Sequence, residues 1–239
     1  MIRTEEFIYS DAQQNYQGIV AFDDSFEDKR PVVLISHSYG GQGKFDEDKA
    51  VALANLGYLA FAIDVYGQGR RASNTSEAEA LMNEMLADRQ ELLNRLLLAL
   101  DKIKKHELAN TDKIGAIGFC FGGKCVLDLA RSGIEIGGVV SFHGIFDPPG
   151  LNHKGDIKAK VLVLHGWEDP LALPKDINLL GQELTQRNAV WEMDIYGHTG
   201  HAFTNPKAKA PNQGMMFNAL ANDRSWRRMV NFFEEVFAN

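Results

Sequence analysis

Cysteine is scarce in this chain: two residues in 239, Cys120 and Cys125, five positions apart. A disulfide-stapled scaffold is excluded at this size, and on one helix the two thiols would face different ways. A reducing compartment, the cytoplasm, is therefore expected. Long apolar runs are missing as well. The greasiest stretch, 92–100, is interrupted by Asn94 and Arg95 and is too short to span a bilayer. Residues 1–6 lack the apolar core of a secretory signal. There is no basic excess: 25 Lys and Arg against 32 Asp and Glu leave a formal charge of −7, which argues against nucleic acid as a partner. Metal-binding patterns are absent too, with neither His-Glu-x-x-His nor closely spaced cysteine pairs, so no metal or cofactor is expected. No repeat, low-complexity tract or Pro/Gly/Ser-rich linker divides the sequence. A single domain over 1–239 is the economical expectation.

What is present is an alternation of short apolar runs with longer amphipathic ones. Strand-like runs lie at 32–35, 58–63, 113–119, 138–142, 161–164 and 190–195, and several are continuous and rich in β-branched residues, as in strands covered on both faces. Between them, 46–55, 77–105, 122–131, 174–187 and 223–237 read as helices. In the second of these, Leu81, Met85, Leu92, Leu96, Ala99 and Ile103 recur at helical spacing. Residues 4–9 and 16–22 read as an added antiparallel hairpin. The expected fold class is α/β, a mostly parallel central sheet with helices on both faces. In such sheets, reactive groups collect just beyond the carboxyl ends of the strands.

Three strand ends carry chemistry. After the run ending at Phe119 comes Gly118-Phe119-Cys120-Phe121-Gly122-Gly123, a G-x-nucleophile-x-G elbow with cysteine at its centre. A strand that turns abruptly into a helix leaves its central residue strained and its neighbours without room, so glycines fit where larger residues would collide. The helix N-terminus favours the thiolate. A thiolate needs a base, and the base an orienting acid. Asp169 follows the run 161–164, and His201 follows the run 190–195, with His198 as the alternative base. The order nucleophile, acid, histidine is that of the α/β-hydrolase architecture. Backbone donors for an oxyanion are expected from the residue after the nucleophile, Phe121, and from the loop after the first core strand, where Tyr39 is the choice. Tyr66, Trp167 and Phe203 are the candidate substrate-binding aromatics. The segment 206–222 is long enough to cover a site.

Together these segments resemble the dienelactone hydrolase family of α/β-hydrolases. The likeness rests on Gly118 to Gly123, on His165-Gly166-Trp167-Glu168-Asp169 and on Gly200-His201-Ala202-Phe203. It is reinforced by Ser36-His37-Ser38-Tyr39-Gly40 and Ala62-Ile63-Asp64-Val65-Tyr66. The resemblance implies an α/β-hydrolase fold, with Cys120 as nucleophile, His201 as base, Asp169 as its orienting partner, and an oxyanion hole from the amides of Tyr39 and Phe121. Two departures stand out. The family's glutamate after the first core strand is Ser38 here, and no arginine follows the histidine in 201–206, leaving Arg70 and Arg71 as the candidate cations. The expectation is a carboxylic-ester hydrolase acting on small acyl or aryl esters or lactones through an acyl-thioenzyme. A dienelactone hydrolase proper, or a non-catalytic or thiol-redox protein on the same fold, stays open beside it.

Overall fold

The structure is a computed structural model, and it describes residues 1–238. Asn239, the last residue of the expected domain, lies outside the described residues. The chain divides into two compact units, one over Met1–Ala116 and one from Ile117 onward. The cut falls inside a strand and not at a linker.

In the first unit the strands are β1 (Ile2–Ser10), β2 (Asn15–Asp23), β3 (Arg30–Ser36), β4 (Leu59–Ala62) and the start of β5 (Ala109–Phe119), arranged in the order β1-β2-β4-β3-β5. The hairpin β1–β2 is antiparallel, β2 runs antiparallel to β4, and β4 is parallel to β3 with Val32 opposite Leu59. Val32 to Ser36 are buried without a break, the mark of a strand covered on both faces. Helix α1 (Lys44–Ala54) packs on β2 and β4.

The stretch expected as one helix over 77–105 is two, α2 (Thr75–Ala87) and α3 (Arg89–Ile103). Asp88 causes the break. Its backbone leaves the helical region (φ −132°, ψ 86°), and its carboxylate accepts the Glu91 amide at 2.9 Å as the cap of α3. A cap of this kind contributes about 1 kcal/mol, enough to decide where a helix restarts. Asn74 caps α2 in the same way. Leu92, Leu96 and Ile103 line the buried face of α3, each worth about 2 kcal/mol of apolar burial.

In the second unit the end of β5 leads into α4 (Phe121–Arg131), followed by β6 (Gly138–Phe142), β7 (Lys160–Gly166), α5 (Pro174–Gln186) and β8 (Trp191–Tyr196), with strand order β5-β6-β7-β8. The pairs β6–β7 and β7–β8 are parallel. A two-stranded hairpin that the sequence pattern does not announce follows, β9 (Lys209–Ala210) with β10 (Met215–Met216), and α6 (Ala219–Phe237) closes the unit against β6 and β7. Among the described residues no helix is long and apolar enough to cross a membrane. The fold is that of an α/β-hydrolase, built on a mostly parallel central sheet with helices.

Candidate active site

Cys120 stands between β5 and α4 with φ 58° and ψ −114°. A non-glycine residue in this region costs on the order of 1–3 kcal/mol and persists only where its surroundings impose it. The imposing contacts are visible. The Cys120 amide donates to the Phe142 carbonyl at 3.0 Å. A Cβ on Gly118 would collide with the Gly122 carbonyl, and one on Gly123 would sit 2.7 Å from the Gly144 Cα. The strand can therefore turn into the helix only where these side chains are missing, and the turn leaves Cys120 partly exposed while Phe121 to Arg131 are all buried.

Asp169 and His201 are both buried, at 1% and 2% exposure. The His201 Nδ1–H donates to the Asp169 carboxylate at 2.7 Å, and the other Asp169 oxygen accepts the Leu171 amide at 2.8 Å. The carboxylate is thus oriented by its own loop and in turn orients the ring. His201 Nε2 has no aligned hydrogen-bond partner. Even so, the Cys120 sulfur lies close enough to act on the ring. Such contacts commonly tighten only once substrate is in place. Burial opposes a charged ring. The Cys120 charge and then the hydrogen bond to Asp169 outweigh it and push the His201 pKa up to about 10. The three residues expected to act together are thus brought together.

Two further histidines crowd this centre. His143, at the end of β6 with φ 37°, meets the His201 ring edge-to-face at 5.0 Å and hydrogen-bonds Thr204 Oγ1 at 2.8 Å. His165 donates its Nε2–H to the Ala172 carbonyl at 2.9 Å, and its Nδ1 stands 3.9 Å from the Asp169 carboxylate. Burial lowers its pKa. The alternative base, His198, is fully exposed beside Glu168. Of the three candidate substrate aromatics, Trp167 is half exposed. Phe203 is fully buried, edge-on to His143 and Tyr196. Tyr66 is also fully buried, with its hydroxyl donating to the Tyr39 carbonyl at 2.7 Å.

Tyr39 sits in a tightly braced segment of the first unit. His37 Nδ1–H donates to the Ser38 carbonyl at 2.6 Å, and its Nε2 accepts the Val65 amide at 3.1 Å. The Ser38 carbonyl and the Tyr39 N–H belong to one trans peptide, so a clamp on the first fixes the direction of the second. Burial lowers the His37 pKa to about 4, against the raising effect of the Ser38 hydrogen bond. Neither candidate cation is idle. Arg70 pairs with Glu84 at 2.9 Å, and Arg71 bonds Asp64 at 3.3 Å, Gln42 at 2.7 Å and the Gln17 carbonyl at 2.8 Å. Asp64 also accepts the amides of Gln17, Gly67 and Gly69, so Arg71 completes a structural clasp.

Comparison with known proteins agrees with this fold. Residues 17–237 match the model of the dienelactone hydrolase family. A solved structure named m3DLH is 34% identical with a TM-score of 0.92, covering 99% of each chain. The dienelactone hydrolase-like promiscuous phosphotriesterase P91, from metagenomic libraries, is 30% identical with a TM-score of 0.94 over 98% of each chain. A putative carboxymethylenebutenolidase of Aquifex aeolicus is 24% identical, spanning 85% of this chain and 87% of its own length.

Proposed function

The chain belongs to the dienelactone hydrolase family and is a hydrolase, and from that premise we propose that it cleaves small acyl or aryl esters and lactones as one domain through an acyl-thioenzyme. The family match runs across both compact units, which supports the single-domain reading. The observation that carries the mechanism is the 2.7 Å hydrogen bond that orients the buried His201 ring on Asp169 with the Cys120 sulfur beside it, an arrangement that favours the imidazolium.

In this reading the Cys120 thiolate attacks the carbonyl carbon of the ester. The developing oxyanion is met by the amide of Phe121, the first residue of α4, and, on chain order alone, by that of Tyr39. One such donor is worth about 3 kcal/mol. Collapse breaks the carbon–oxygen bond, and the leaving alkoxide takes the proton from His201. Neutral His201 then removes a proton from water, the hydroxide attacks the thioester, and the acid departs as the thiolate–imidazolium pair re-forms. Asp169 holds the ring in the tautomer this cycle needs.

Trp167 is proposed to line the mouth. Phe203 is proposed to act from behind it, by shaping the wall, and Tyr66 is kept as a substrate-side residue on chain order alone. With Arg70 and Arg71 engaged elsewhere and no cation in 201–206, uncharged substrates suit the site better than a carboxylate-bearing lactone. The same thiolate suits attack at phosphorus, and the neighbour described as a phosphotriesterase makes aryl phosphotriesters a second substrate class to assay.

The test is turnover of a panel: a short-chain aryl ester, an uncharged lactone, a carboxylate-bearing lactone and an aryl phosphotriester. Cys120→Ala should lower aryl-ester turnover by at least about 10⁴-fold while the circular dichroism spectrum stays that of wild type. Retained activity in that variant refutes the mechanism.

A further inference from the structure

Asp169 and His201 sit on different loops, yet the hydrogen bond between them is short, so something must hold the loops in register. Three glycines link the relevant segments in a closed ring. A Cβ on Gly166, at the end of β7, would run into the Thr199 carbonyl and come within 2.7 Å of the Gly200 carbonyl. A Cβ on Gly200 would run into the Gly214 carbonyl. A Cβ on Gly214, which has φ +68°, would lie 2.8 Å from Pro170 Cδ, next to Asp169. The aspartate loop thus rests on the histidine loop and the histidine loop on the β9–β10 hairpin by direct backbone approach, and the hairpin rests on the aspartate loop through the Pro170 ring.

Hydrogen bonds independently fix the same segments. The His201 amide donates to the Gly214 carbonyl at 2.7 Å, and the Met216 amide donates to the His201 carbonyl at 3.2 Å, which makes His201 opposite Met215 a parallel bridge. Ala202, immediately after, is held at φ 57°. The hairpin is therefore fastened to the histidine's own backbone.

We propose that Gly166, Gly200 and Gly214, together with the β9–β10 hairpin, are positioning elements that set the Asp169–His201 hydrogen bond and through it the Cys120–His201 pair. The inference rests on the catalytic reading above. Its mechanism is steric: a side chain at Gly166 or Gly200 pushes against facing backbone and one at Gly214 against the rigid Pro170 ring, and a displacement near 1 Å is enough to cost about 100-fold in rate.

The full chain tests this in four variants: Gly200→Ala, Gly214→Ala, Met216→Pro and, as a control, Gly197→Ala. Gly197 lies in the same histidine loop, but a Cβ there would meet nothing within 4 Å. Aryl-ester kcat and KM, thermal midpoint, and the pH profile of Cys120 alkylation by iodoacetamide are measured for each. The two ring variants should lose about 100-fold in kcat with KM little changed, and their alkylation profile should move toward that of an ordinary thiol. Gly197→Ala should match wild type throughout. Met216 is half exposed, and proline there removes the amide that bonds His201 while fixing φ at an edge-strand position, so it reads the same effect if a glycine variant does not fold. An unchanged kcat, or a fallen kcat with a wild-type alkylation profile, overturns the positioning role. Failure of the underlying reading looks different: wild type and His201→Gln would then share one alkylation profile.

Discussion

His37 and His201 are buried almost equally, at 0% and 2% exposure, and yet their pKa values move in opposite directions, to about 4 and about 10. The difference lies in what each ring faces. His37 bonds two backbone groups, and the attraction of Asp64 is countered by Arg71. His201 bonds a carboxylate directly and has a thiol on its other side. His165 marks an intermediate case. It shares Asp169 with His201, but at 3.9 Å and with a backbone carbonyl as its bonded partner, and burial lowers it. Burial alone makes a histidine a neutral structural brace. Aligned opposite charge at hydrogen-bond distance turns the same side chain into a proton carrier.

The most disruptive way to break this contrast is Asp169→Asn. It removes the charge while keeping a similar shape, and it should lower aryl-ester kcat by about 10⁴-fold. Its imidazole resonance in nuclear magnetic resonance titration should shift at lower pH than in wild type, toward the behaviour of His37. A ring still protonated at pH 8 would show that Asp169 is not what holds the proton.

A smaller effect appears in acid. The folded-state pKa of His37 lies below its ordinary value of 6.5, so its neutral form favours folding above pH 6.5, and that contribution is lost as pH falls toward 4. His201 has the opposite sign. Its raised pKa contributes stability that is fully present below 6.5 and is lost as pH rises toward 10. The His37 contribution is on the order of 3 kcal/mol at most. Urea denaturation of His37→Gln between pH 6.5 and 4 should show a shallower fall in stability than wild type, and parallel slopes would contradict the assignment. The smallest expected change belongs to Arg71→Gln. Loss of its repulsion should raise the His37 pKa by less than about one unit. Turnover of the carboxylate-bearing lactone should change no more than that of the aryl ester. A selective loss on the charged substrate would instead make Arg71 a substrate ligand.

Much of this was legible in the sequence for local reasons. Gly118 announces a turn because the collision it avoids, with Gly122, lies within five residues, and Asp169 and His201 each follow an apolar run that reads as a strand. Other features depended on contacts that no local pattern records. The break at Asp88 came from one carboxylate capping its own helix, inside a stretch whose apolar spacing continues across it. The strands β9 and β10 are two residues each, too short for any periodicity to register. Tyr66 and Phe203 carry the same aromatic signature whether they face a cleft or a core, and only the folded chain shows both buried. The bracing of Ser38 by His37 joins neighbours in sequence, but its purpose depends on Val65, nearly thirty residues away.

The left-handed backbone at Cys120 has one more consequence. Its geometry is dictated by Gly118, Gly123 and the bond to Phe142, none of which touches sulfur chemistry. An oxygen could therefore replace the sulfur without disturbing the hinge that presents it, so Cys120→Ser should keep its architecture while the proposed nucleophile changes from a thiol to a hydroxyl that must be deprotonated during attack. In this fold the scaffold for presenting a reactive atom is separable from the element that does the reacting.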